Sequence, residues 1–475
     1  MGILDNYLKR YKEKRVAVIG AGVSNTPLIG LLLDAGVSTT VRDKRLREEL
    51  GEVAESFEKS GAKLRLGEDY LKELTEDIIF RTPGLMPTNT HIREAVARGA
   101  VLTSEMEVFF EICPCKIIAV TGSDGKTTTT SIIAGLLKKE YPHVYLGGNI
   151  GTPLLSKVDD MNRGDIAVVE LSSFQLITMK KSPNIAVVTN LSPNHLDVHN
   201  DMDEYIEAKS NIFMHQTSFD RVVFNYDNEI TRNYAKNAPA EEVLFFSRKS
   251  IVENGVYLQD GTIYESFKGA KAPIMKADEI ELPGVHNVEN YMAAFAAVMG
   301  LVSHKTMRYT AMSYKGVPHR LELVRELDGV KYYNDSIASS PSRAIAGIRA
   351  LSASEYKTVA GDRNIILIAG GQDKGIPFDE FGAEIVKSIK ELVLTGVTVG
   401  QIREAVENAE GFGERNSFDE SRIHMCDKFE DAVTTAAKLA NEGDIVLLSP
   451  ACTSFYKFRN FEERGRVFKE IVDGL

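Results

Sequence analysis

Short apolar runs recur along the chain, and many stop abruptly at glycine, proline or a charged residue. RVAVIG (15–20) breaks at GAGVSN, and an apolar stretch with helical spacing follows; VSTTVRD (37–43) and DIIFRTPG (77–84) also read as strands ending in polar turns. A second block opens with KIIAVTGSDGKT (116–127) and continues through DIAVVE (165–170), IAVVTN (185–190) and RVVFN (221–225). Residues 247–281 alternate brief β-like runs with Gly and Lys and predict small antiparallel strands, after which 283–301 becomes an Ala-rich helix. A third block carries VKYYNDS (330–336), NIILIAGG (364–371), ELVLTG (391–396) and DIVLLSP (444–450). Strands alternating with helical stretches predict parallel α/β sheets. The expected architecture has three domains: a Rossmann-like 1–105, a central 106–316 with a phosphate-binding loop and parallel sheet, and a Rossmann-like 317–475. In such sheets ligands collect at the carboxyl ends of strands, so the residues closing each run are the candidates for chemistry.

The loop after residue 121 carries the strongest signal. A strand meeting a Gly-rich turn and a helix aims free N–H groups and the positive helix end at one point, where phosphate binds. Gly122, Ser123, Asp124, Gly125, Lys126, Thr127 and Thr128 would form this cradle, Lys126 adding charge and Thr127 a hydroxyl for Mg²⁺. Only two residues separate Gly122 from Gly125-Lys126, against four in the usual P-loop. Glu170 ends a buried strand beside this loop and is a natural Mg²⁺ ligand. His195, Asp197 and His199 follow another strand; His195 is favoured as a ligand or substrate contact, and a zinc site lacks a third cluster. GAGVSN with Asp43 some 20 residues on hints at a dinucleotide site, but Asn25 replaces the third glycine and Lys44 and Arg45 follow the acid, which suits a different anionic nucleotide.

Charge narrows the partners. With 56 Lys+Arg against 67 Asp+Glu the net charge is −11, which speaks against nucleic acid and anionic membranes. No apolar run approaches a membrane span, no signal-peptide core is present, and Asn6 breaks the myristoylation pattern begun by Met1-Gly2. Cys113, Cys115, Cys426 and Cys452 read as reduced thiols of a cytoplasmic protein; CPC has the flavour of a metal site but no second pair at useful spacing.

Taken in order, TGSDGKTT, GGNIG, ELSSFQL, NHLD, EAKSNIF, GVHNVEN, VPHRLE, NDS and SPACTSFYKFRNFEERG resemble the motifs of the Mur ligases, ATP-dependent amide-forming enzymes of peptidoglycan synthesis. The resemblance spans nearly the whole chain, accounts for the short loop, and is greatest to the D-glutamate-adding branch. It implies ATP and two Mg²⁺ sites: Thr127 and Glu170 for one, His195 and a CO₂-carbamylated Lys209 for the other. Read without the family, Lys209 would be a solvated helix lysine. The resemblance further implies that Asn287 contacts adenine, Arg320 the nucleotide phosphates and Asp335 the ribose. Ser24, Asn25, Lys44, Arg45 and Thr82, with Pro83 and Gly84, would hold the uridine end of a UDP-linked substrate, and Asn149 and Ser172 its phosphate or muramoyl-alanine part. Ser339, Lys374, Ser454 and Phe461 would line the D-glutamate pocket. NDSIASS departs from the family's NDSKAT, placing Ile337 where a lysine is common; Arg343 is a candidate substitute. The implied reaction joins D-glutamate to UDP-N-acetylmuramoyl-L-alanine through an acyl phosphate, in a monomer acting on small molecules. Alternatives are a sister ligase or a folylpolyglutamate synthetase-like enzyme, a nicotinamide oxidoreductase, and a non-catalytic nucleotide-binding regulator.

Overall fold

The computed structural model describes residues 2–22, 24–192, 201–282, 284–314, 316–352, 363–373, 376–414 and 417–475. The chain divides into two compact units, Met1–Glu279 with Val288–Met312, and Ile280–Asn287 with Ser313–Leu475. His195, Asp197, His199 and Lys374 lie outside the described residues.

The first unit holds two sheets. β1 (Arg15–Ile19), β2 (Ser38–Asp43), β3 (Lys63–Leu66), β4 (Ile78–Phe80) and β5 (Val101–Thr103) form a parallel sheet in the order β3-β2-β1-β4-β5. β1 and β4 run centrally and are apolar almost throughout, as a sheet covered on both faces requires. Val16, Val18 and Phe80 pack into one core and Ala17, Ile19 and Ile79 into another, so successive residues serve opposite faces.

The second sheet has nine strands: β6 (Lys116–Thr121), β7 (Val144–Gly148), β8 (Ile166–Glu170), β9 (Ile185–Val188), β10 (Arg221–Asn225), β11 (Glu242–Ser247), β12 (Gly255–Gln259), β13 (Thr262–Phe267) and β14 (Ala270–Lys276). Their order is β14-β13-β12-β11-β10-β9-β6-β8-β7. β7 to β12 pair in parallel through β6, whereas β12, β13 and β14 are antiparallel, as the alternating stretch 247–281 predicts. The order reverses direction around β6, whose neighbours are β8 and β9. That is the switch point at which α/β sheets open a crevice beyond their strand ends.

The second unit contains β15 (Glu322–Leu327), β16 (Val330–Asn334), β17 (Ile365–Ala369), β18 (Ile389–Thr395), β19 (Ile423–Cys426) and β20 (Ile445–Leu448), ordered β15-β16-β20-β17-β18-β19. Among the described residues the β15–β16 strand pair is antiparallel and the other strand pairs of this sheet are parallel. The apolar runs of the third block are thus its central strands. β3, β5, β7, β15 and β19, three to six residues long with mixed polarity, carry no such run, and all five lie on sheet edges.

Candidate active site

The loop 122–125 leaves the tip of β6 and enters the helix Lys126–Leu137. Gly122 has φ 151° and Gly125 φ 74°, both outside the range that side-chain-bearing residues favour. A Cβ on Gly122 would stand 1.9 Å from Thr189 Oγ1, and one on Gly125 2.3 Å from Asn290 Oδ1. The loop is held from behind. Ser123 N and Asp124 N donate to Asn190 O (2.9 Å) and Asn190 Oδ1 (2.8 Å), and Thr189 Oγ1 donates to Asp124 O (2.6 Å). Lys126 Nζ donates to the carbonyls of Gly122 (3.0 Å) and Ser123 (2.8 Å). Thr127 is half-buried, while Thr128 is buried in the helix.

Glu170 closes β8 next to this loop and is 1% exposed. Asn149 Nδ2 donates to its Oε1 (2.9 Å) and Asn149 N to its backbone carbonyl (2.9 Å). Its Oε2 is buried and has no hydrogen-bond partner among the described residues. An ionised carboxylate oxygen is costly to leave so, and a divalent cation is a partner that removes the cost. With the Thr127 hydroxyl, the donor set is all oxygen, as Mg²⁺ demands; it takes its remaining ligands from water and phosphate. The residues present therefore fit the ion.

Lys209 is not the solvated helix lysine that its residue type suggests. It is 2% exposed on the helix Met202–Met214, and Nζ donates to Gly122 O (2.9 Å) and Thr121 Oγ1 (3.3 Å). Burial, reinforced by the Lys126 charge, holds its pKa well below the ordinary lysine value despite Glu170 and Asp124. Tyr205, one turn earlier, lies under Nζ at 4.8 Å from the ring centroid, and its hydroxyl meets Ser123 Oγ at 3.1 Å. The amine is thereby placed and desolvated by the same residues that shape the phosphate loop.

Asn149 also faces a cleft of about 250 Å³ lined by Ser24, Pro83, Gly148, Ile150 and Gln175. The cleft joins the carboxyl end of β1 to the loop after β7. Ser172 caps the helix Ser173–Leu176 and exchanges hydrogen bonds with Gln175: its hydroxyl and N–H donate to Gln175 Oε1 (both 2.9 Å), and the Gln175 N–H donates back (3.3 Å). Asn25 is buried with Nδ2 donating to Ile19 O and Gly20 O (both 3.0 Å), so that amide braces the turn. Arg45 forks onto Asp43, with Nε to Oδ1 at 3.0 Å and Nη2 to Oδ2 at 2.7 Å, and Ala21 N donates to the same carboxylate (2.8 Å). Burial pushes the Asp43 pKa up, but these hydrogen bonds outweigh it and hold the carboxyl below its usual range. Asp43 is thus engaged by protein groups where a nicotinamide-nucleotide site would offer it to a ribose. Lys44 is exposed and Thr82 half-buried beside Gly20.

In the second unit Asp335 sits one residue past the end of β16, fully buried, with Ser449 Oγ donating to Oδ2 (2.8 Å) and Leu321 N to Oδ1 (3.2 Å). Burial pushes its pKa up to about 7, against the pull of Ser449 and the Arg320 and Arg343 charges. Arg320 is exposed between His319 (φ 65°) and Leu321 (φ 42°), two side-chain-bearing residues held at positive φ. Ser454 is buried; Ser339 and Phe461 are half-buried, and Phe461 packs edge-on against His319. Arg464 braces this region: Nε and Nη2 donate to Ser336 Oγ (3.0 Å) and Ser336 O (2.8 Å), and Nη2 also to Cys452 O (3.1 Å). Its burial lowers its pKa to about 10. Asn287 is buried near the start of the helix Val285–Ala297.

Thr189, Asn190, Tyr205 and Arg464 escape sequence reasoning, because each acts on backbone or on another side chain from a distant part of the chain. Asn290 lies within the GVHNVEN motif and could have been found there.

Residues 120–298 match the model of the Mur ligase middle domain, and residues 319–452 that of the Mur ligase glutamate ligase domain. The chain belongs to the Mur ligase family. Among its Mur ligase relatives, the UDP-N-acetylmuramoylalanine–D-glutamate ligase of Ruminiclostridium cellulolyticum is 49% identical over 99% of both chains. The enzyme of the same name from Acetivibrio thermocellus is 48% identical, again over 99% of both. Among solved structures, the UDP-N-acetylmuramate-alanine ligase of Thermotoga maritima superposes with a TM-score of 0.54 at 17% identity, covering 97% of this chain and 99% of that one. This last likeness carries the Mur ligase fold alone.

Proposed function

We propose that this chain is an ATP-dependent ligase that joins D-glutamate to UDP-N-acetylmuramoyl-L-alanine in peptidoglycan precursor synthesis. Support comes from the full-length relatives of that name and from one feature of the site. Asn149 lies on the cleft at the end of β1 and also holds Glu170, beside the phosphate loop. A substrate carboxylate entering from the cleft would therefore arrive where a triphosphate tail ends.

In the reaction, the alanyl carboxylate attacks the γ-phosphorus of ATP, giving an acyl phosphate and ADP. The neutral amine of D-glutamate then attacks the acyl carbon, an amide forms, and phosphate leaves with the amine's proton lost to solvent. The chain's contribution is mainly positioning and neutralisation of charge. The loop amides and Lys126 bind the phosphates, and Asn149 orients Glu170. Thr127 and Glu170 would hold Mg²⁺, which neutralises phosphate charge when bound. A second ion is assigned to His195 and Lys209, the lysine as its carbamate. The depressed Lys209 pKa supports this, because CO₂ adds only to an uncharged amine. Asn287, Arg320 and Asp335 are assigned to the adenine, phosphates and ribose. Ser24, Thr82, Lys44 and Arg45 are assigned to the uridine end, and Ser339, Lys374, Ser454 and Phe461 to D-glutamate. Division into 1–105, 106–316 and 317–475, action as a monomer and a cytoplasmic setting complete the reading. No described helix is long and apolar enough to cross a membrane.

The test is ADP release by the purified protein with ATP, Mg²⁺ and UDP-N-acetylmuramoyl-L-alanine. Turnover that requires D-glutamate and yields the UDP-linked dipeptide is expected. ADP release indifferent to D-glutamate, or equal with L-alanine, would overturn the assignment.

A further inference from the structure

The CPC segment is not used by the ligase chemistry, yet it is organised. Cys113 caps the helix Glu105–Ile112, Pro114 fixes the turn, and Cys115 immediately precedes β6. The two Sγ atoms are 3.4 Å apart. A third sulfur completes the group: Cys113 Sγ lies 4.0 Å from Sδ of Met161, which ends the turn of helix Leu155–Asp160. Cys115 and Met161 are 6% and 4% exposed, whereas Cys113 is half-buried and gives a route from solvent. Metal–sulfur bonds of about 2.3 Å, the length of a zinc–thiolate bond, would set the sulfurs of a trigonal centre about 4 Å apart. The Cys113–Met161 separation of 4.0 Å matches this, and the 3.4 Å between the two Sγ atoms would open slightly on binding. Two thiols and a thioether without nitrogen or carboxylate ligands select a soft monovalent ion over zinc or magnesium. Among the described residues no group of three His, Cys, Asp or Glu assembles that could hold a metal ion.

We propose that Cys113, Cys115 and Met161 form a three-sulfur site for Cu(I), separate from the ligase site. Binding is coordination without redox change: both thiols become thiolates, two protons leave for solvent, and two Cu–thiolate bonds and one Cu–thioether bond form. The site lies at the amino end of β6 and in the turn before β8, whereas Lys126 and Glu170 follow or close the carboxyl ends of these strands.

The experiment is anaerobic titration of the reduced protein with Cu(I) as its acetonitrile complex, in competition with a chromogenic Cu(I) chelator. One equivalent is expected to be retained, with a sulfur-to-copper charge-transfer band, two protons released, and three sulfurs at about 2.3 Å by X-ray absorption. Cys113→Ser, at the half-buried position, should abolish the band, while Cys426→Ser leaves it intact. Met161→Leu should reduce the sulfur count to two and weaken retention about tenfold, with the fold checked by circular dichroism. Complete recovery of copper by the chelator would overturn the proposal. So would formation of a Cys113–Cys115 disulfide without bound copper, retention undiminished in Cys113→Ser, or three sulfurs persisting in Met161→Leu.

Discussion

Two strand–glycine–helix turns lie in the first unit, one after β1 and one after β6, and they differ in what their polar groups already do. After β1, Asn25 donates to the turn's own carbonyls, and Asp43 at the end of the adjacent strand is neutralised by Arg45 and the Ala21 N–H. After β6, Glu170 keeps one buried oxygen without a hydrogen-bond partner among the described residues, and burial beside the Lys126 charge holds the Lys209 pKa well below its ordinary value. The same local sequence signature thus gives a self-satisfied turn in one place and an electrostatically incomplete one in the other. Chemistry belongs where the protein leaves charge to be completed by a ligand.

Substitutions should separate the two turns. The largest effect is expected for Lys126→Ala, which should lower kcat/KM for ATP by about 10³-fold while the protein stays folded; steady-state ADP release measures it. Glu170→Gln should cost about 10²-fold and raise the Mg²⁺ concentration needed for half-maximal turnover, since the amide supplies no charge. An unchanged Mg²⁺ dependence would remove Glu170 from the metal. Lys209→Met should abolish turnover without lowering Tm, because it removes a buried amine rather than a structural ion pair. A carbamate signal with ¹³C-bicarbonate, present in the parent protein and missing in the variant, would sharpen the contrast. At the first turn, Asp43→Asn should act on stability, by about 1–3 kcal/mol, and on the KM for the UDP substrate, with little change in kcat.

A pH prediction concerns the second unit. Asp335 is protonated up to about pH 7 in the folded chain but only to about pH 4 when unfolded. The folded state binds the extra proton in that window, so stability falls as pH rises from about 4 to 7 and the cost is complete above 7. Asp335→Asn should flatten this slope by a few kcal/mol, read from denaturant midpoints. Glu105, pushed to about 7 by burial against its bond from Leu155 N, adds a slope of the same sign that remains in the variant.

Much of this was legible in the sequence because it is local. Central strands such as β6, β8, β17 and β20 are continuous apolar runs, and the Lys126 loop and Glu170 stand where those runs stop. What was illegible depends on packing. Lys209 reads as a surface residue until Tyr205 and the loop carbonyls enclose it. Ser172 fits a substrate contact and a helix cap equally well by sequence, and its bonds to Gln175 show the cap. Edge strands such as β5 and β19 are too short and mixed to announce themselves, since pairing with a neighbour defines them.

The most direct test is a crystal structure with a non-hydrolysable ATP analogue and Mn²⁺ in place of Mg²⁺, with the metal located by anomalous scattering. The account predicts the β- and γ-phosphates against the amides of residues 122–127 and Lys126, with an anomalous peak within bonding distance of Glu170 Oε2. Nucleotide bound elsewhere, or a manganese peak with Glu170 Oε2 still unpartnered, would contradict it.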